Sequence, residues 1–426
     1  MTDCSPRCET TESMKMNKKG IMLACLLLGT CTMAQAQQTE ETKTVAIIIG
    51  NDGDLQRQQV VETEAAAVRR KLGLNEQETF VLRNAAGQQV DYQISYDGML
   101  LFEASVQPHR KAIFRAEKGV PRAAKAWVHG AQYKIRKDDM AWENDRSAYR
   151  MYGPALQQTG ERSFGIDVWT KRTPELVLDE RYQTDYRGNV VEDSLRRSGN
   201  KDAARDVDLE TSFHLDHGYG MDAYGVGPTL GCGAPALLDG ERLILPWCYE
   251  SYRILDNGPL RFTAELTYQP VSISHASPAG QTTSVVTEHR LLSLDKGSNF
   301  NRMTVWYDGL KSPLALAAGV VLHGGKPLLA KDHVLYADPT EAPDRHNSQV
   351  FVATLFHNGV DQTRVLKSDE RVSHAIGIVD NYDGHPYTYY FGAAWSLYDV
   401  RSIEEWQLRA TQFMQALEQP LSITLQ

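Results

Sequence analysis

The chain has 426 residues, 42% of them hydrophobic, with 45 Lys and Arg against 54 Asp and Glu. That is enough apolar residue for a large core, and the formal net charge of -9 argues against general affinity for nucleic acid or anionic membrane. Acidic sugars stay open as ligands, because local arginines can hold a carboxylate inside an acidic protein.

Residues 1–36 read as a secretory leader. Lys15, Lys18 and Lys19 form a basic patch, Ile21 to Leu28 a short apolar run, and Ala34-Gln35-Ala36 a cleavage signature. Residues 1–13 precede the basic patch and read as an upstream start, with Met14 or Met16 the natural initiator. The apolar run is too short to span a bilayer, and no second long one follows, so no membrane span is expected. Leu28-Gly29-Thr30-Cys31 offers a lipoprotein alternative, weakened by the threonine before the cysteine. Cleavage after Ala36 leaves a periplasmic or secreted chain, 37–426, read as one domain. Cys4, Cys8, Cys25 and Cys31 go with the leader. Cys232 and Cys248 then either pair in an oxidising compartment or stay as two buried thiols.

The mature sequence reads mainly as strands. Thr44 to Gly50 is a β-branched run closed by Asn51-Asp52-Gly53, and a helix is expected over Val60 to Leu72. Strands follow at Thr79 to Leu82, Val90 to Ile94, Leu100 to Val106, Tyr149 to Tyr152 and Gly165 to Trp169. Later ones are Leu243 to Leu245, Leu260 to Tyr268, Ser284 to Leu294, Asn301 to Tyr307, Ala315 to His323, Gln349 to Leu355 and His374 to Val379. Pro270 to Gln281 reads as an inserted loop. Ser402 to Leu417 is amphipathic at helical period, with Ser402 as N-cap and Glu404 and Glu405 in its first turn. Many strands and few helices predict a large antiparallel β-sandwich, with two packed sub-sandwiches as the variant.

Two runs carry chemistry. In Trp142 to Gly153, two carboxylates, two guanidiniums, an amide and three aromatics crowd into twelve residues. As one continuous strand, Trp142, Asn144, Arg146, Ala148, Arg150 and Tyr152 would share a face, with Glu143, Asp145, Ser147, Tyr149 and Met151 opposite. The first face would suit a sugar acid, with rings for stacking and arginines for bidentate carboxylate binding. The bland reading is a buried ion-pair lattice stitching two strands. Asp167, Trp169 and Lys171 would share one face of the next strand and either extend that cleft or form an exposed rim.

The second run, Phe213 to Gly233, holds six glycines in twenty-one residues and reads as a loop. It carries His214, Asp216, His217, Asp222 and Tyr224. A histidine oriented by a carboxylate is a general base in outline, and a tyrosine could be the matching acid. A divalent metal on His214, Asp216 and His217 is a weaker reading, since the spacing matches no strong metal motif, and no other cofactor is implied. The bland reading is a tight loop whose His and Asp cap backbone groups. No dinucleotide fingerprint, nucleophile elbow or P-loop is present.

Asp139 to Arg146, Arg150-Met151-Tyr152-Gly153-Pro154, Gly165 to Trp169, His214-x-Asp216-His217-Gly218 and Thr229-Leu230-Gly231-x-Gly233 resemble, in that order, a secreted Bacteroidetes family, domain-of-unknown-function family 4861. The resemblance spans most of the mature chain. It implies a periplasmic role in using pectin-like and other uronate glycans, and an architecture similar to the supersandwich of galactose mutarotases and of several polysaccharide lyases. It transfers no catalytic residue, and fold likeness assigns no chemistry.

The expectation is therefore an enzyme acting on an acidic oligosaccharide by acid/base chemistry, with elimination favoured over hydrolysis. Arg146, Arg150 and Asn144 would bind carboxylate, while Trp142, Tyr152 and Trp169 stack on rings. His214 or His217 would be the base, Asp216 its orienter and Tyr224 the acid. Hydrolysis would instead use Glu143 or Asp145 with Asp216 or Asp222. The contrasting expectation is a glycan-binding protein without turnover.

Overall fold

The computed structural model describes residues 43–277, 280–339, 348–367 and 372–426. The expected leader, residues 1–36, and the four cysteines in it lie outside the described residues. The architecture is a large antiparallel β-sandwich, as its alternating sequence predicts. Its broader sheet runs Tyr249–Asn257, Arg261–Tyr268, Gly280–Asp295, Phe300–Asp308, Tyr387–Trp395, Val350–Leu355, His333–Asp338 and Leu328–Ala330, with Val271–Ser277 paired onto Gly280–Asp295. The second sheet runs Arg242–Ile244, Cys232–Asp239, Leu314–Leu322, Ser373–Tyr382 and Gln362–Lys367.

The long strand Gly280–Asp295 shows why these residues form a sandwich. Val286, Glu288, Arg290, Leu292 and Leu294 alternate inward while their neighbours stay part-exposed. Leu292, Val305 and Phe391 of the broad sheet meet Leu237, Val320 and Ile376 of the other in one apolar cluster. Arg290 and Glu288 are buried as a pair at 2.5 Å, which removes the penalty of an unpaired inward charge.

A smaller β-sandwich forms from the N-terminal segment. Thr44–Asn51 pairs with Arg110–Lys118 on one side and with the last strand, Ser422–Leu425, on the other. Arg57–Glu64, Met99–Val106 and Tyr92–Ile94 form its second sheet. Helix α1 (Ala65–Leu72) closes a separate cluster containing Ile47, Val68 and Phe102. The expected helix thus starts five residues late. Val60 and Val61 sit in strand register with Glu103 and Phe102, and the helix begins only where the alanines do. The expected loop from Pro270 is also overturned, because Val271–Ser277 folds as a strand in a hairpin.

A four-stranded sheet, Ile166–Trp169, Ala148–Met151, Asp139–Glu143 and His129–Tyr133, lies beside the main core. After the short turn α2 (Pro154–Gln157), helix α3 (Leu178–Arg197) covers its outer face, and helix α4 (Lys201–Thr211) packs on α3. Gly188 is required where they cross, since an added Cβ would fall on Thr211. Helix α5 (Ile403–Glu418) is capped by Ser402 as expected and packs Trp406 on Phe300. Cys232 and Cys248 are buried free thiols, not a disulfide.

Candidate functional site

The run Trp142 to Gly153 is a hairpin, not one strand. Asn144 makes the turn, its Oδ1 accepting from the N–H of Arg146 and Ser147. Glu143 then pairs with Ala148, and Ala141 with Arg150. Turning the chain this way reverses the expected parity. Glu143 and Arg150 share the outer face, while Trp142 and Tyr149 point together into the main core. Trp142 is fully buried, and its indole N–H donates to Asn301 at 2.8 Å, so no ring face is left for a ligand.

On the outer face, Arg150 lies directly across from Asp167 and bonds it at 2.5 Å. The same guanidinium reaches Asp222 at 2.9 Å and Asp139 at 3.7 Å. It lies 4.9 Å from the Tyr152 ring and 5.2 Å from Trp169. Arg181 of α3 also lies over Trp169, 4.4 Å from its ring. Burial pulls the Arg181 pKa down to about 10. For Arg150, burial acts the same way, but Asp167, Asp222 and Asp139 outweigh it and hold the group well above its ordinary value. Burial raises Asp139 to about 6. Burial, then repulsion from Asp222, raises Asp167 to about 7. Burial thus disfavours the charged form of both carboxylates. Among the described residues, Asp139 Oδ1 and Arg150 Nε and Nη1 have no hydrogen-bond partner.

Several residues expected to bind sugar instead support the fold. Lys171 is fully buried and donates to Glu143 at 2.5 Å and to the carbonyls of Asn144 and Glu175. Glu143 also accepts the N–H groups of Val177 and Leu178, which caps the start of α3. Asn144 donates to the carbonyls of Asp295 and Ser298, and Asp145 accepts from the N–H of Gly297. Arg146 turns away to Asp399 at 3.2 Å. Trp169 is buried between Tyr182 and Phe213, and Tyr152 is buried over Arg150.

The glycine-rich run is a loop, as expected. Asp216 accepts from the N–H of Gly218 and Gly220 and pairs with Arg172 at 2.8 Å, so it orients neither histidine. His217 contacts the carbonyl of Ser212. Tyr224 is buried and donates to the carbonyl of Gly231. Its ring meets His323, which pairs with Asp338 at 2.6 Å, rather than His214. Among the described residues no set of three or more His, Cys, Asp or Glu is arranged to hold a metal ion.

His214 is different. Its side chain is 61% exposed, and its Nδ1 sits 3.2 Å from the carbonyl and 3.5 Å from the carboxylate of Asp222. Asp222 is the carboxylate that Arg150 holds. The two runs thus meet at Asp222, with Arg150 on the buried side and His214 on the open side. Arg136 lies 5.8 Å from the Phe213 ring, and Arg172 is half exposed over Asp216. Asp139, Arg136, Arg172 and Arg181 were not assigned roles from sequence. Asp139 was findable, since hairpin pairing puts it on the Arg150 face.

Residues 49–423 match the family described as "Domain of unknown function (DUF4861)". "Uncharacterized protein P7" of Formosa agariphila is 24% identical over 348 residues, 77% of this chain and 78% of that protein. An alpha-mannosidase from Enterococcus faecalis V583 aligns with a TM-score of 0.44 at 11% identity, over 90% of this chain and 46% of that one. A protein in glycosyl hydrolase family 38 from Enterococcus faecalis aligns with a TM-score of 0.45 at 10% identity, over 90% and 47%. The chain spans about half the length of these solved structures. Among the described residues no helix is long and apolar enough to cross a membrane.

Proposed function

The chain belongs to the DUF4861 family, whose description names no chemistry, and we propose from the site itself that it is a carbohydrate-active enzyme working on uronate-containing oligosaccharides by acid/base chemistry. The observation that carries this reading is the meeting of the two runs at Asp222. A buried guanidinium fixes Asp222, whose backbone carbonyl at 3.2 Å and carboxylate at 3.5 Å face Nδ1 of His214, and the His214 ring is 61% exposed. That is the arrangement a positioned general base needs.

Elimination fits this inventory better than hydrolysis. His214 takes the proton alpha to the sugar carboxylate, a carbon–carbon double bond forms, and the glycosidic oxygen leaves. The proton on His214 can then return to the leaving oxygen. Charge at the alpha carbon spreads onto the carboxylate, where Arg172 and Arg136 are the cations to receive it. The hydrolytic scheme loses Glu143, which is committed to Lys171 and to the start of α3. The work would take place outside the cytoplasm, after removal of a leader ending near Ala36.

Trp142 and Trp169, the expected stacking platforms, are both buried, so neither turnover nor binding uses their ring faces. Incubation with pectic and other uronate oligosaccharides separates the readings. New ultraviolet absorbance from an unsaturated uronate, lost in His214→Asn, is the expected result. Cleavage with a gain of water overturns elimination, and binding with an intact substrate panel overturns the enzyme reading.

A further inference from the structure

A cavity of about 510 Å³ opens where the small sandwich, the broad sheet and helix α5 meet. Its walls are the strand Arg57–Glu64, the hairpin Ser293 to Arg302, and α5 with the tail that follows it. None of its lining residues belongs to the Asp222 cluster. The volume falls in the range of small-ligand sites.

The lining carries five cations, Arg57, Arg261, Lys296, Arg302 and Arg409, against two carboxylates, Glu62 and Asp295. Arg261 takes both carboxylates, at 2.7 Å from Glu62 and 2.6 Å from Asp295. Lys296 pairs outward with Glu103, and Arg409 shares Asp399 with Arg146. Among the described residues Arg57 has only neutral partners, the Gln59 side chain and the carbonyls of Ala416 and Gln419, and burial lowers its pKa. Arg302 is exposed and makes no ion pair among the described residues. In an acidic protein, this lining leaves positive charge uncompensated.

The other lining groups indicate what accompanies that charge. Phe413 and Tyr390 are half-buried rings with centroids 5.1 Å apart, packed against the buried Phe300. Tyr390 is the cross-strand neighbour of Arg302. Gln56, Gln58 and Gln412 add amides. Rings for apolar sugar faces, amides for hydroxyls and guanidiniums for an anionic substituent describe an acidic carbohydrate. Asn144 and Asp145 hold the hairpin tip through Asp295, Ser298 and Gly297. These two residues of the first run act as positioning residues for this wall.

We propose that this cavity is a second binding site, which anchors a carboxylated or sulfated oligosaccharide away from the Asp222 cluster. The preference for an anion rests on the cavity, and the preference for a sugar rests partly on the function proposed above. The test is calorimetric titration of the full chain with a galactose trisaccharide, its galacturonate counterpart, its sulfated counterpart and inorganic sulfate. His214→Asn is used throughout, so turnover does not intrude and loss of catalysis is read separately.

At least one charged trisaccharide should bind roughly tenfold tighter than the neutral one. Arg302→Glu should remove roughly that advantage and Arg302→Lys should keep most of it, both with unchanged melting temperature. The charged sugar that binds tighter identifies the anion. Equal affinity for neutral and charged sugars, or indifference to Arg302→Glu, overturns the site. Inorganic sulfate binding as tightly as the sugars overturns its sugar character.

Discussion

Arg150 and Arg302 both lie on strands beside aromatic rings, and the fold treats them oppositely. Arg150 is enclosed by three carboxylates and three rings, on the face that α3 covers. Arg302 stands at a cavity wall beside Tyr390 with no carboxylate partner among the described residues. The sequence surroundings of Arg150 look more like a ligand site, because its run is dense in polar and aromatic groups. That density is what a buried polar lattice also requires, since every inward charge needs a partner. An arginine available to a ligand is marked by the absence of local partners.

The sharpest way to break this comparison is Arg150→Met. It leaves Asp139, Asp167 and Asp222 together without their central cation. Removing one partner of a buried charge set costs about 3–5 kcal/mol, so urea unfolding should show a loss of that size. A loss below about 1 kcal/mol would mean the carboxylates simply take up protons, and the arginine would not be the structural centre of the face. Lys171→Met comes next. Glu143 would lose its cation but keep the N–H groups of Val177 and Leu178. The expected loss is therefore at the low end, about 3 kcal/mol, with α3 the first element to gain hydrogen exchange.

The pH dependence sharpens the same contrast. Burial raises Asp139 to about 6 and Asp167 to about 7, above the 3.8 of a free aspartate. Between about pH 4 and pH 7 the folded protein therefore holds protons that the unfolded chain has released. With more protons bound in the folded state, stability falls as pH rises through that window and levels off above it. Asp185 and Glu288, also raised mainly by burial, act in the same direction. Asp167→Asn removes one of these groups, so its urea midpoint should fall less than wild type between about pH 5 and about pH 7.5. An identical slope in both proteins would mean Asp167 ionises normally beside Arg150.

The fold was largely legible because its strands announce themselves. Thr44–Asn51 and Phe300–Asp308 appear as β-branched or alternating runs, and α5 appears with its cap. Helices α3 and α4 did not, since they are polar along most of their length and bury few residues. Missing α3 hid the cover over Arg150 and made its face look open. The loop character of Phe213 to Gly233 was legible from its glycines, but which carboxylate faces His214 was not. Asp216 is nearer in sequence, yet the bridge between Trp169 and Asp222 brings the other one in. The cavity was invisible because Arg57, Arg302 and Arg409 come from three distant segments and form no local motif.

The smallest expected effect completes the comparison. Arg302→Ala removes a cation that holds no carboxylate, so it strands no buried charge and opens no core cavity. Its stability should stay within about 0.5 kcal/mol of wild type, as for surface changes away from such features. Arg302 also carries no ion-pair attraction that its loss would forfeit. If urea unfolding instead shows a loss of 2 kcal/mol or more, on the order of a broken buried hydrogen bond to charge, Arg302 has a structural partner and the two arginines differ only in degree. A neutral result leaves the arginine's charge without a role in folding, which is the condition for a residue kept to meet a ligand.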